Sequence, residues 1–184
     1  MKKLLLLILW GLSTSISFSQ LNVFNRYTPE SGDNLIVVNY FGQRQLSEKF
    51  SLTYFGLVNE TFAEALVGVS YQPSDWISIG FSAGVEKDNG FRTGQSLILS
   101  DGKHLFLLFT EFGEGRRNYF YRGIYNYKIN EKITVGANGW RFHGFGPHFT
   151  YDLGDKLKAK IWISPLYDFE FELTRVVIGT TIKI

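Results

Sequence analysis

Apolar and polar residues alternate along most of this chain in short runs, with the period of two that places successive side chains on opposite faces of a strand. Leu35 to Phe41, Phe50 to Val58, Phe62 to Tyr71 and Trp76 to Val85 open the series. Thr93 to Leu99, Lys103 to Phe112, Asn118 to Tyr127 and Ile133 to Arg141 continue it. Phe145 to Leu153, Leu157 to Ser164 and Phe169 to Ile184 close it, and Leu21 to Tyr27 is a weaker run near the start. Turn chemistry separates them. Gln72-Pro73-Ser74-Asp75 fixes one backbone angle through proline, and Ser100-Asp101-Gly102 suits a tight hairpin.

The pattern predicts an all-β, antiparallel, up-and-down transmembrane barrel of about 12 strands, with 10 as the lower count. Strands of ~10 residues joined by short turns would use nearly all the chain and cross a bilayer at a tilt. An even strand number puts both termini at the periplasmic end. Three hairpins repeat one grammar: Tyr71, Asp75, Ile77 and Ile79; Tyr127, Glu131, Ile133 and Val135; Tyr151, Asp155, Leu157 and Ala159. Each sets a tyrosine at the membrane interface, an acid in a solvated turn, and two apolar residues at the start of a lipid-facing row.

Within strands, Ile77, Ile79, Phe81, Ala83 and Val85 alternate with Ser78, Gly80, Ser82 and Gly84. Leu157, Ala159, Ile161 and Ile163 alternate with Lys158, Lys160, Trp162 and Ser164. The expectation is an apolar face toward lipid and a small or polar lumen, with Gly80, Gly84, Gly123 and Gly136 pointing inward where space is short. A soluble barrel would reverse the two faces, and alternation alone is compatible with both.

The first residues change the compartment. Lys2 and Lys3 precede the apolar stretch Leu4 to Leu12, and Ser17 and Ser19 occupy small-residue positions before a cleavage site. This reads as a signal peptide over residues 1–19, cut before Gln20, leaving a barrel domain over residues 20–184. There is no cysteine, so neither an acylated-cysteine anchor nor a disulfide framework is available. Of 19 basic residues, Lys2 and Lys3 leave with the signal, and the rest equal the 17 acidic ones. The pI near 8.7 is therefore no argument for nucleic-acid binding.

The signal, the alternating strands and the tyrosine-bearing turns together resemble bacterial outer-membrane β-barrel proteins as a broad class. That resemblance implies a Gram-negative outer membrane, surrounding outer-membrane lipid, and insertion by the outer-membrane assembly machinery. The chain ends Thr181-Ile182-Lys183-Ile184, where such proteins often end in an aromatic residue.

Catalytic patterns are sparse. Three histidines without cysteine offer no zinc-ligand spacing, and neither a nucleophile elbow nor a phosphate-cradling loop occurs. No catalytic residue, metal or cofactor is expected. His148, Thr150 and Asp152 share a strand face, and a histidine beside a hydroxyl is similar to what outer-membrane phospholipases and lipid A deacylases use, with threonine standing where serine is expected. His104 and His143 read as interfacial or loop residues. Glu114 to Arg117 and Phe142 to Gly146 read as exposed loops.

Charged and polar positions on strands name the candidate lumen-lining residues: Glu64, Arg122, Asn126, Asp152, Lys158, Lys160, Glu170 and Glu172. Lys158 and Lys160 are expected to face Glu170 and Glu172 across the last hairpin, as a salt-bridged plug or a charged lining. The reading is a structural barrel or narrow pore. The alternatives are a soluble, secreted, lipocalin-like binder of an apolar ligand and a lipid-modifying barrel enzyme.

Overall fold

A computed structural model describes residues 18–87, 90–114 and 119–184. The first half contains β1 (Phe18–Thr28), β2 (Asp33–Gln45), β3 (Phe50–Val58), β4 (Ala63–Ser74), β5 (Ile77–Glu86) and β6 (Gly90–Ser100). The second half contains β7 (His104–Gly113), β8 (Tyr119–Lys128), β9 (Ile133–Trp140), β10 (Gly144–Asp152), β11 (Ala159–Asp168) and β12 (Leu173–Lys183). Each strand pairs with its sequence neighbours, and β1 pairs antiparallel with β12, so the sheet closes into a barrel without an edge. Closure satisfies the backbone internally, which is what a bilayer requires of a β-protein.

Side-chain hydrogen bonds fix the turns locally. Asp101 accepts from the backbone N–H groups of Lys103 and His104 at 2.9 and 2.6 Å. Asn130 accepts from those of Lys132 and Ile133, and Asp168 from those of Glu170 and Phe171. These turns set the register. Tyr71 faces Ile79, and Tyr127 faces Val135, at the barrel end that also holds the termini.

The outer face is apolar to a degree that a soluble protein does not tolerate. Phe81 is 59% exposed and Val85 56%, while Ser78, Gly80 and Ser82 of the same strand line the interior. Exposed aromatics collect at both ends of this belt: Phe50, Tyr71 and Tyr151 toward the termini, and Tyr27, Tyr119 and Tyr167 at the opposite end. Two such girdles flanking an apolar band are the membrane-facing surface of an outer-membrane barrel. The soluble, lipocalin-like alternative needs a mainly polar outer surface, and here large apolar side chains dominate it among the described residues.

The last hairpin departs from the sequence reading. Pro147 and Pro165 lack a backbone N–H, and pairing between β10 and β11 skips from Phe145↔Tyr167 to Phe149↔Ile163 at their level. Yet β11 continues through Pro165 to Asp168, and the turn falls at residues 169–172. Lys158 and Lys160 consequently lie at the opposite end of β11 from Glu170 and Glu172. Gly123 also differs: between the inward Arg122 and the exposed Tyr121 and Tyr125, it belongs to the outer face.

Candidate functional site

Inside the barrel lies a cavity of about 490 Å³. Gln20 and Gln43 line it near the termini, and Arg26, Asn59 and Glu64 line it near the other end. Its middle is apolar. Leu35, Val37 and Phe41 of β2, Phe55 and Leu57 of β3, and Leu105, Leu107 and Phe109 of β7 supply the wall. The lumen is thus not uniformly polar, as the alternation on β5 and β11 suggests. On β2 and β7 both faces are apolar, because one meets lipid and the other meets this cavity.

The cavity is eccentric. Phe24, Val37, Trp140, Trp162, Leu166 and Val177 pack into a buried cluster against the wall where β11, β12, β1 and β2 meet. Gly179 makes room for it, since a β-carbon there would overlap the Trp162 indole and lie 2.7 Å from the Phe24 β-carbon. The open volume is left against the remaining strands.

Two charged groups stand at the end away from the termini. Arg92, 1% exposed, holds Glu86 through contacts of 2.6 and 2.8 Å and Glu111 at 2.9 Å, with Glu64 at 3.6 Å. Four adjacent strands, β4 to β7, contribute one member each. On the next two strands, β8 and β9, Arg122 places its guanidinium carbon 4.0 Å over the Trp140 ring, and His143 stacks on the same ring at 3.8 Å and 8°. Two groups so near one ring centre must occupy opposite faces, so Trp140 is sandwiched. His143 therefore lies buried inside, not in an exposed loop. Phe142 at φ 69° and Gly144 at φ 108° turn the chain sharply enough to fold it in, and Arg26 donates to the Phe142 carbonyl at 3.3 Å.

The other sequence candidates divide by place. Glu64 and Arg122 line the cavity, and Asn126 shares the inward face of β8 with Arg122. Asp152 and Lys160 form a half-exposed ion pair of 3.4 Å near the termini. Lys158 (φ 48°), Glu170 and Glu172 (φ 54°) are exposed turn residues, so the four-charge ladder does not form. Arg116 and Arg117 lie outside the described residues. Sequence reasoning passed over Arg92, Glu86 and Glu111, although each sits at the inward phase of its strand.

His148 has a serine partner that the sequence reading did not assign. Its Nδ1 lies 2.7 Å from the Ser164 hydroxyl and its Nε2 3.1 Å from that of Thr150, while the Asn138 amide donates to Ser164 at 3.4 Å. Ser164 is 0% exposed, and neither it nor His148 lines the cavity. A nucleophile needs room for a substrate carbonyl, and this hydroxyl is sealed in the wall.

No protein-family model matches the chain, and no curated protein matches it. Solved structures do match its fold. The "COG4313 outer membrane channel from Pseudomonas putida F1" superposes with a TM-score of 0.60 at 8% identity, over 94% of this chain and 97% of that one. The "KdgM porin" gives 0.56 at 12% identity, over 90% and 99%. Outer membrane phospholipase A from Escherichia coli gives 0.56 at 12%, over 95% and 96%. At these identities the likeness concerns architecture alone: this chain has the closed, antiparallel, twelve-stranded fold of bacterial outer-membrane β-barrels.

Proposed function

We propose that the protein is a narrow channel of a Gram-negative outer membrane, exported by a signal peptide cut before Gln20, inserted by the outer-membrane assembly machinery, and passing small solutes that carry apolar surface. One observation carries the reading: a single cavity is lined by residues from both ends of the barrel and is walled by leucine and phenylalanine between them. A barrel serving only as a structural element would gain from filling this space, because close packing stabilises an interior. The side at the β1–β12 seam is filled in that way and the other is not. That two proteins of the same fold are named a porin and a channel agrees with this assignment.

An apolar wall discriminates by desolvation. A sugar loses hydrogen bonds to water on entering and finds few replacements, whereas an aliphatic or aromatic solute gains by burial. Purified protein in planar bilayers should show small, steady conductance steps, and proteoliposomes should admit small aromatic acids and amines faster than sugars of equal size. Flux no greater than that of empty vesicles would remove the channel assignment. Fractionation adds a check on location: the mature protein should sediment with outer membrane and resist carbonate extraction.

A further inference from the structure

Arg122 differs from Arg92 and Arg175, two other inward arginines near this end of the barrel. Arg92 is surrounded by carboxylates, and Arg175 pairs with Asp168 at 2.7 Å. Arg122 lines the cavity with no carboxylate within ion-pair distance among the described residues, and its Nε, shielded from solvent, has no hydrogen-bond partner. The ring beneath it, Trp140, is 4% exposed, and its indole N–H also lacks an acceptor. Two unsatisfied donors from adjacent strands therefore meet in one stacked group, held in place by His143 on the far face of the ring. A buried donor without an acceptor is costly, and a guanidinium without an anion more so. Such a pair calls for an anionic acceptor.

The surroundings select the rest of the molecule. Phe24 meets the Trp140 ring at 5.1 Å, Leu35, Leu57 and Phe120 pack against the cluster to which both belong, and all four face the cavity. A hydrophilic acid would satisfy the donors but leave its hydroxyls against these side chains. A hydrocarbon would fill the space but leave the donors unmet. We infer that this site binds a small amphiphilic monoanion, with a carboxylate head on Arg122 and the Trp140 indole N–H, and a short apolar tail along Phe24, Leu35, Leu57 and Phe120. This rests on the channel reading and names its solute class. Glu111 on the adjacent strand lies diagonal to Arg122, so the acidic group around Arg92 begins one strand away and disfavours a second negative charge, which limits the ligand to one anionic end.

Calorimetric titration of the barrel in lipid nanodiscs, with empty discs subtracted, tests the inference using octanoate, octanol and acetate as probes. Octanoate should bind at least ~10-fold tighter than octanol, the factor expected for a charge-assisted hydrogen bond, and at least ~10-fold tighter than acetate, through burial of its alkyl tail. Arg122→Gln should abolish that advantage and leave octanol binding unchanged. Arg122→Lys should retain part of it, because charge survives while the planar fork does not. Equal binding of octanoate and octanol by the wild type, or an octanoate advantage that survives Arg122→Gln, would overturn the site. If Arg122→Gln does not refold, as judged by its unheated gel mobility, Trp140→Phe replaces it. That change keeps the ring and removes the N–H, and an undiminished octanoate preference would again be decisive against the site. Conductance of the same preparations separates the two readings. A conducting barrel indifferent to octanoate loses the solute class and keeps the channel, whereas octanoate-selective binding without flux keeps the site and loses the channel.

Discussion

The Nδ1 of His148 and the hydroxyl of Ser164 are 2.7 Å apart, directly across β10 and β11 at the level where Pro147 and Pro165 break the backbone pairing. A side-chain bond thus replaces ladder bonds that the prolines cannot make. Ser164→Ala leaves the buried imidazole nitrogen without a partner and should lower stability by about 1–3 kcal/mol, read from urea unfolding in micelles. A fluorophosphonate probe for nucleophilic serines should leave Ser164 unlabelled in the folded barrel. Stoichiometric labelling there would reinstate the lipid-modifying enzyme.

Arg92 holds one end of the interior together by joining β6 to its neighbours. Arg92→Gln strands three buried carboxylates and should destabilise the barrel by about 3–5 kcal/mol. Adding Glu86→Gln and Glu111→Gln should recover much of that loss, since the repulsion disappears with the charges. A triple variant no more stable than the single one would show that Arg92 contributes through packing alone.

The inner and outer faces can be told apart within a single strand. Phe106 and Leu108 are exposed on the outside of β7, whereas Leu105 and Leu107 line the cavity. A photoprobe confined to the lipid acyl region should label the first pair and spare the second. Labelling of all four would mean that lipid enters the lumen, and labelling of the second pair alone would invert the barrel.

The Asp101 turn gives a pH signature outside the membrane. Its carboxylate accepts the backbone N–H groups of His104 and Lys103, and these two bonds, His104 first, hold its pKa below the usual aspartate value. A depressed carboxyl pKa contributes stability that is present above the unfolded value of about 3.9 and is lost as pH falls through the folded one. Carboxyl ¹³C shifts should therefore titrate Asp101 below free aspartate, and amide exchange of the β6–β7 turn should quicken only at the acid end of that window. Because hydrogen bonds cause the shift, 0.5 M salt should leave the midpoint nearly unchanged; a midpoint that rises to the free value would assign it to screened charge instead.

Strand number, order and closure could be read from the sequence because turn residues such as Asp101 and Asn130 punctuate it and alternation fills the intervals. The end of β11 could not. Proline at 165 suggests a stop, and only the neighbouring strands show that the gap falls toward β10 while pairing with β12 carries the strand on. Alternation also has no power where both faces are apolar, as from Leu35 to Phe41, so the apolar wall of the cavity stayed hidden. Glu64 and Arg122 stood out as charges on strands. Arg92 did not, because its partners Glu64, Glu86 and Glu111 come from three other strands, and sequence distance conceals their convergence. The inward fold of His143 depends on a left-handed Phe142, which no local preference announces.

The cluster of Phe24, Trp162, Leu166 and Val177 straddles the seam where the first strand meets the last. Every other neighbouring pair is close in sequence, separated by six residues or fewer, and can zip locally. This one must bring together strands separated by nearly the whole chain, so it carries the largest loop-closure entropy in the molecule. The bulkiest apolar side chains stand where the connection is weakest, and they act as a clasp. An assembly pathway that delivers hairpins in order would leave this joint until last and then lock it in one step. Slow unfolding should begin in the hollow arc of β3 to β7, with the seam among the last pairings to part.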